Sequence, residues 1–238
     1  MRALIDGDPL VYIVGFGHDE MPLWYQCQQM DEFVESIIEE TGSHTYSIYL
    51  TGKGNFRDEV ATILPYKGNR DSSRRPRKYK ELRKYLQEVW GARLITGIEA
   101  DDACVIHAYH LLQKGKDYVV CSIDKDLLML EGQHYNYKRR EFETISEEEG
   151  WKRFYTQTLT GDNSDNIPGL YKVTGHKATK AIKEGLLTLT LPEEMDAYCL
   201  NTYEEMAETP AIQQYREIQE LLWILRRPRT SPMFISEV

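Results

Sequence analysis

The sequence is short of cysteine, of long apolar runs and of net positive charge. Its four cysteines, Cys27, Cys104, Cys121 and Cys199, are scattered through 238 residues with no C-x-x-C pair. That spacing excludes a disulfide framework and a zinc ribbon and suits thiols kept reduced in a cytoplasm. No run of 18 apolar residues occurs, so no helical membrane span is expected. Asp6 interrupts Ala3-Leu4-Ile5 too early for a secretory signal. There is no G-x-x-x-x-G-K-[ST] phosphate loop, no G-x-S-x-G elbow, no EF-hand pattern and no repeat. Cys104, His107 and His110 drift around a helix at i, i+3, i+6 and read as structural. Acids outnumber bases 38 to 29, a net charge of −9 that by itself points away from a polyanionic partner. With 41% hydrophobic and 28% charged residues, the chain is neither disordered nor fibrous and can bury a sizeable core.

The average charge hides an asymmetry. Tyr66 to Lys84 holds nine bases (Lys67, Arg70, Arg74, Arg75, Arg77, Lys78, Lys80, Arg83 and Lys84) against Asp71 and Glu81. The segment is +7, which leaves −16 on the other 219 residues. A basic strip on an acidic body gives the surface a direction.

Short apolar runs alternate with helical patterns. Ala3–Ile5, Tyr46–Leu50, Arg93–Ile95 and Tyr118–Ile123 read as strands, the second closed by Thr51-Gly-Lys-Gly54. Tyr118–Ile123 is apolar throughout nearly its length, as expected of a strand covered on both faces. Asp31–Glu40, Arg77–Trp90 and Asp101–Gln113 read as helices, and Tyr135–Tyr137 with Glu141–Ile145 as a hairpin across Lys138-Arg139-Arg140. After Trp151 the pattern is mostly helical. The fold class is therefore α/β: a mostly parallel sheet flanked by helices, followed by a helical region.

Open parallel sheets bind ligands at the carboxyl ends of their strands. Here those ends carry acids: Asp6 and Asp8, then Glu99, Asp101 and Asp102, then Asp124 and Asp126. Asp162 and Asp165 follow the next helix. Each has an ordinary use as a cap or a turn residue. Gathered together, nine carboxylates repel one another unless cations compensate them. A site of oxygen donors without Cys or His suits Mg²⁺ or Mn²⁺, and so many donors suit two ions, as in phosphodiester hydrolysis. The loop Tyr66-Lys67-Gly68-Asn69-Arg70 adds an aromatic to stack on a base and two cations for phosphate oxygens.

Four stretches, Leu64-Pro-Tyr-Lys-Gly-Asn-Arg70, Gly97-Ile-Glu-Ala-Asp-Asp102, Ser122-Ile-Asp-Lys-Asp126 and Gly161-Asp-Asn-Ser-Asp-Asn-Ile167, occur in the order and spacing of the 5′-nuclease superfamily. The chain resembles bacteriophage 5′–3′ exonucleases and flap endonucleases, and the nuclease domain of bacterial DNA polymerase I. The likeness runs from about Met1 to Ile182.

The resemblance implies a PIN-like core over residues 1–150, with a basic arch at about 66–90. It implies a helical DNA-binding region over 151–238, with a degenerate helix-hairpin-helix at about 160–182. Asp6, Glu99, Asp101 and Asp102 match the tighter metal site, and Asp124, Asp126, Asp162 and Asp165 the second. Lys67 and Arg70 match the residues that approach the scissile phosphate, and Tyr66 a base-stacking position. Arg74, Arg75, Arg77, Lys78, Lys80, Arg83 and Lys84 would hold a single strand, and Lys172, Lys177 and Lys180 duplex backbone. The implied activity is two-metal 5′–3′ exonucleolytic and flap-endonucleolytic hydrolysis of DNA with two Mg²⁺, Mn²⁺ substituting. The substrate is DNA with a free 5′ end, nick or flap, with the RNA of RNA–DNA hybrids left open. The compact length resembles phage members acting in DNA replication within bacterial cytoplasm.

Two departures stand out. Gly52 takes the place of a further acid after the second strand, with Asp8 the nearest spare carboxylate. The hairpin Gly169-Leu-Tyr-Lys-Val-Thr-Gly-His-Lys177 matches the family's glycine spacing only with an extra residue, which argues against its potassium ion. A DNA-binding protein that has lost cleavage, and an RNase on the same core, are the alternative readings.

Overall fold

The computed structural model describes residues 1–71 and 74–228. Residues 72–73 of the expected arch and 229–238 of the expected helical region lie outside the described residues.

Six strands form one sheet: β1 (Arg2–Asp6), β2 (Thr45–Asn55), β3 (Arg93–Gly97), β4 (Tyr118–Cys121), β5 (Gly132–Asn136) and β6 (Glu141–Ile145). Their order is β3-β2-β1-β4-β5-β6, parallel except for the β5–β6 hairpin. β1 lies between β2 and β4, where the strand order reverses, the place at which such sheets open a crevice.

Alternation along β1 explains the layers. Ala3 and Ile5 point to one face, where α1 (Asp8–Gly17), α2 (Leu23–Glu40) and α4 (Tyr79–Glu88) supply Leu10, Val14, Met30, Val34, Leu82 and Leu86. Leu4 points to the other face and meets Ala103, Cys104 and Ala108 of α5 (Ala100–Gln113). All four residues of β4 are buried, as its continuous apolar run requires.

A short α3 (Phe56–Val60) follows β2, and a 3₁₀ turn (Asp126–Met129) follows β4. The helical part comprises α6 (Glu147–Thr160), α7 (Leu170–Thr174), α8 (Lys180–Leu187), α9 (Pro192–Met206) and α10 (Ile212–Leu222). It has a core of its own, with Phe154, Leu159, Met195, Tyr203, Tyr215 and Ile218 among its buried members.

Several elements differ from the sequence expectation. α1 was not expected: its run from Leu10 to Phe16 has no polar face to betray a helix, although Asp8 and Pro9 are start signals. β2 continues through Thr51–Gly54 to Asn55, with an irregular register against β3. From Tyr79 onward α4 packs on the body, so residues 79–88 of the expected arch belong to the layer that covers the sheet. Leu82 and Leu86 are fully buried, a contribution of about 1.5–3 kcal/mol each.

Candidate metal centre

Asp6 ends β1 and is 5% exposed. Its carboxylate accepts from Ser122 Oγ at 3.0 Å and from the Asp8 amide at 3.3 Å. Burial, followed by the charges of Asp8 and Asp124, pushes its pKa up to about 8. Past β4, Ser122 Oγ also receives the Asp124 amide at 3.0 Å, and Asp124 Oδ1 receives the Asp126 amide at 2.9 Å. One serine hydroxyl thus ties the ends of β1 and β4 together.

Glu99 caps α5, and its own amide donates to Asp102 Oδ2 at 3.1 Å. The Ala100 amide donates to Thr51 Oγ1 at 3.0 Å, which pins this helix start to β2. Asp101 is held well above the usual carboxylate range by burial and by the charges of Asp102 and Glu99.

The loop at 161–167 supplies Asp162 and Asp165. Gly161 and Gly169 close it backbone to backbone: a Cβ on Gly161 would lie 2.5 Å from the Gly169 nitrogen. The Asp162 amide donates to Ile167 O and the Ile167 amide to Asp162 O. The loop at 65–70 clasps it through the Lys67 amide to Asp165 O at 2.8 Å, Asn69 Nδ2 to Asn163 O at 2.6 Å and Asn166 Nδ2 to Pro65 O at 2.8 Å.

The result is a cavity of about 520 Å³ lined by Asp6, Asp8, Glu99, Asp101, Asp124 and Asp165, together with Lys67, Arg70 and Arg75. Six carboxyls face three cations. Lys67 Nζ pairs with Glu99 and, at 3.4 Å, with Asp165, while Arg70 pairs with Asp165. Burial works against the Lys67 ammonium, but the charges of Glu99 and Asp165 outweigh it and raise its pKa.

Three predicted acids do not line this cavity. Asp126 and Asp162 are bridged by Gln157 Nε2, at 2.9 and 2.8 Å. Burial and the charge of Asp124 push Asp126 up to about 7. Burial opposes ionised Asp162 too, but the Ser164 amide and the Lys125 charge outweigh it and its pKa falls. Asp102 turns away from the cavity altogether, its carboxylate taken up by Arg57.

The basic expectations divide similarly. Tyr66 is 9% exposed, its hydroxyl lying 2.7 Å from Glu99 Oε2 and 2.8 Å from Asp165 Oδ2, with one proton to share between them. It packs with the helical core, so the expected stacking platform is here a buried strut. Arg83 is drawn inward to Asp8 and to the Thr51 carbonyl. Arg77 is engaged with Asp19 and Glu20. Arg74, Arg75, Lys80 and Lys84 are exposed, and Lys78 is half-buried. Between α7 and α8 a turn begins at Gly175, with Lys177 lying 5.7 Å from the centre of the Tyr171 ring. Lys180 pairs with Glu184 at 3.6 Å, and Lys172 is exposed.

Gly52 has a steric explanation. A Cβ there would sit 2.3 Å from the Ile95 carbonyl oxygen, so no acid fits without moving β3. Asp8 instead brings its carboxylate to the same strand end, accepting from the Thr51 amide at 2.9 Å.

Among the described residues no three His, Cys, Asp or Glu side chains form a group that could hold a metal ion as placed. The donor chemistry nevertheless fits a hard divalent cation. The cavity lining offers six carboxyls and no Cys or His, its carboxyls outnumber its cations, and Asp6 and Asp101 are held at raised pKa.

No protein-family model matches the chain. A 5′–3′ exonuclease from Buchnera aphidicola subsp. Schizaphis graminum is 35% identical over 140 residues, which cover 53% of this chain and 47% of that protein. The chain thus spans about half the length of the curated relative it matches. The bacteriophage T5 flap endonuclease, in a pseudo-enzyme–product complex with DNA and metal ions, matches with a TM-score of 0.58 and 18% identity, over 93% of this chain and 98% of that one. T5 5′-exonuclease with bound zinc gives the same score and identity over 94% and 100%. Those structures show that the fold is the α/β fold of the T5 enzyme. The four ordered motifs, the local likeness to a 5′–3′ exonuclease and the shared fold are what this chain has in common with the 5′-nuclease superfamily.

Proposed function

We propose that this chain is a divalent-metal-dependent 5′–3′ exonuclease and flap endonuclease that hydrolyses DNA. The observation that carries this reading is the convergence of acids from β1, α5, the β4 end and the 161–167 loop in one cavity with Lys67 and Arg70. Asp6, Glu99, Asp101 and Asp124 would hold one Mg²⁺ or Mn²⁺, with Asp8 in place of the acid that Gly52 excludes. Asp165, Asp126 and Asp162 would serve a second. The ions, when bound, supply Lewis-acid charge at the phosphate and make water nucleophilic near neutral pH.

The remaining work falls to the chain itself. Lys67 and Arg70, leaving the carboxylates for the substrate, place two cations on phosphate oxygens where charge develops. Tyr66 fixes Glu99 and Asp165 relative to each other through one hydroxyl. Arg74, Arg75, Lys78, Lys80 and Lys84 give the strand a sequence-independent electrostatic track. Lys172, Lys177 and Lys180 contact duplex backbone. The setting is DNA replication or processing in a bacterial cytoplasm. No helix among the described residues is long and apolar enough to cross a membrane.

The test is a time course on 5′-labelled blunt, nicked and flapped DNA with Mg²⁺, with EDTA as control and Asp124→Asn as the inactive comparison. Equal cleavage by parent and variant, or cleavage in EDTA, overturns the assignment. A second reading, a structure-specific DNA-binding protein without cleavage, is favoured by the missing acid at Gly52. It predicts binding of the flap with no shortening at any Mg²⁺ or Mn²⁺ concentration.

A further inference from the structure

Arg57 and Asp102 form the most completely satisfied ion pair near the cavity. Arg57, in α3, is 2% exposed, and Asp102 is fully buried. The guanidinium grips the carboxylate at both oxygens, NH1 to Oδ2 at 2.6 Å and NH2 to Oδ1 at 2.9 Å. Its other donors reach the C-terminal end of α10, with Nε on Leu221 O at 2.9 Å and NH2 on Trp223 O, just past the helix, at 2.8 Å. Asp102 has further obligations of its own. Oδ1 accepts the Leu225 amide at 3.0 Å and Oδ2 the Glu99 amide at 3.1 Å. Four donors occupy its two oxygens, which leaves little capacity for an ion.

The segment 221–226 is fastened on its other side as well. Trp223 stacks on Trp151 of α6 at 5.1 Å, Arg226 lies 4.9 Å from both rings, and Arg226 NH2 donates to Met129 O at 3.2 Å. Met129 ends the turn that begins at Asp126. One strap therefore touches the support of both acid groups, α5 with Glu99 and Asp101, and the turn after β4.

Resting on the reading that the cavity holds divalent ions, we propose that Arg57 and Asp102 are a positioning pair rather than ligands. The pair sets the direction of Glu99 and Asp101 and makes residues 221–225 a structural part of the metal centre. Arg57 NH1 stands 3.9 Å from Glu99 Oε2, so its charge also steadies that carboxylate from behind. Partners of this outer kind, when removed, lower metal affinity by about 10–100-fold.

Mn²⁺ binding to the DNA-free protein, measured by calorimetry, tests this with Asp102→Asn, Arg57→Met, Arg57→Lys and the double variant Arg57→Met/Asp102→Leu. The kcat and KM on a flap substrate are measured alongside. Each single change is expected to weaken Mn²⁺ binding about tenfold or more and to lower kcat with little change in KM, Arg57→Lys least. The double variant removes the same brace as either single change, so its Mn²⁺ affinity should lie within about threefold of the weaker single variant, the two losses not adding because the residues act as one unit. Where Arg57→Met does not fold, Arg57→Lys compared with Asp102→Asn decides. Mn²⁺ binding lost in Asp102→Asn but unchanged in both Arg57 variants overturns the proposal and makes Asp102 a ligand. A parent that binds no Mn²⁺ overturns the metal reading and this inference with it, whereas a parent and single variants that all bind Mn²⁺ equally well overturn the positioning role only.

Discussion

The two halves of the basic strip carry the same kind of charge and have opposite fates. In Tyr66–Arg70 the cations turn inward onto Glu99 and Asp165, and the aromatic ring is buried. In Tyr79–Lys84 the chain buries Leu82 and leaves Lys80 and Lys84 in solvent. Arg83 breaks even that pattern by reaching Asp8. A cation's role is therefore decided by the partner the fold sets opposite it, and charge density along the sequence does not reveal it.

That contrast can be broken by mutation. The largest effect should come from Lys67→Ala, which removes charge from the inner half. The expected loss is 10²- to 10³-fold in kcat, read in single-turnover flap cleavage. An equal loss from Lys80→Ala would erase the distinction between the halves. Next, Leu82→Ala should cost about 2–5 kcal/mol in urea unfolding, since α4 is anchored through its apolar face, while Lys84→Ala should stay within about 0.5 kcal/mol.

The third effect concerns pH in EDTA-treated protein. Asp6 has a folded pKa of about 8, above its unfolded value, so its contribution is complete below about pH 4 and is lost as pH rises through 8. Thermal melts should fall from pH 6 to pH 9 by an amount on the order of 2 kcal/mol, and Mg²⁺ should raise the melting temperature more at pH 9. Asp6→Asn should flatten both trends. The smallest effect belongs to Lys80→Ala with Lys84→Ala. Binding of flap DNA should weaken several-fold and its salt slope drop by about 2, with kcat unchanged.

Much of this was legible in the sequence, for reasons that particular residues make plain. Tyr118–Cys121 is recognisable because a strand covered on both faces must be apolar throughout. The acids at 6, 99, 101 and 124 could be gathered because the carboxyl ends of parallel strands share one edge. Asp101 and Asp102 could not be told apart, since neighbours on a helix point about 100° apart and only a partner's position says which faces the cavity. That partner, Arg57, lies 45 residues away with no local signal. Gly52 and Gly54 read as a turn, yet β2 runs through them, and Gly52 is there because the Ile95 carbonyl comes so close. Tyr66 looked like a platform because exposure is not a property of a residue type.

The strap at 221–226 also bears on when the molecule becomes complete. Arg57 reaches the Leu221 carbonyl across 164 residues of chain, and Asp102 the Leu225 amide across 123. A polypeptide emerging from the ribosome will have made every one of its pocket acids by Asp165 and still lack the span that braces them. Synthesis thus supplies the last pocket acid before the brace: the bonds from Arg57 and Asp102 to residues 221–225 can close only once the chain has been made past Leu225.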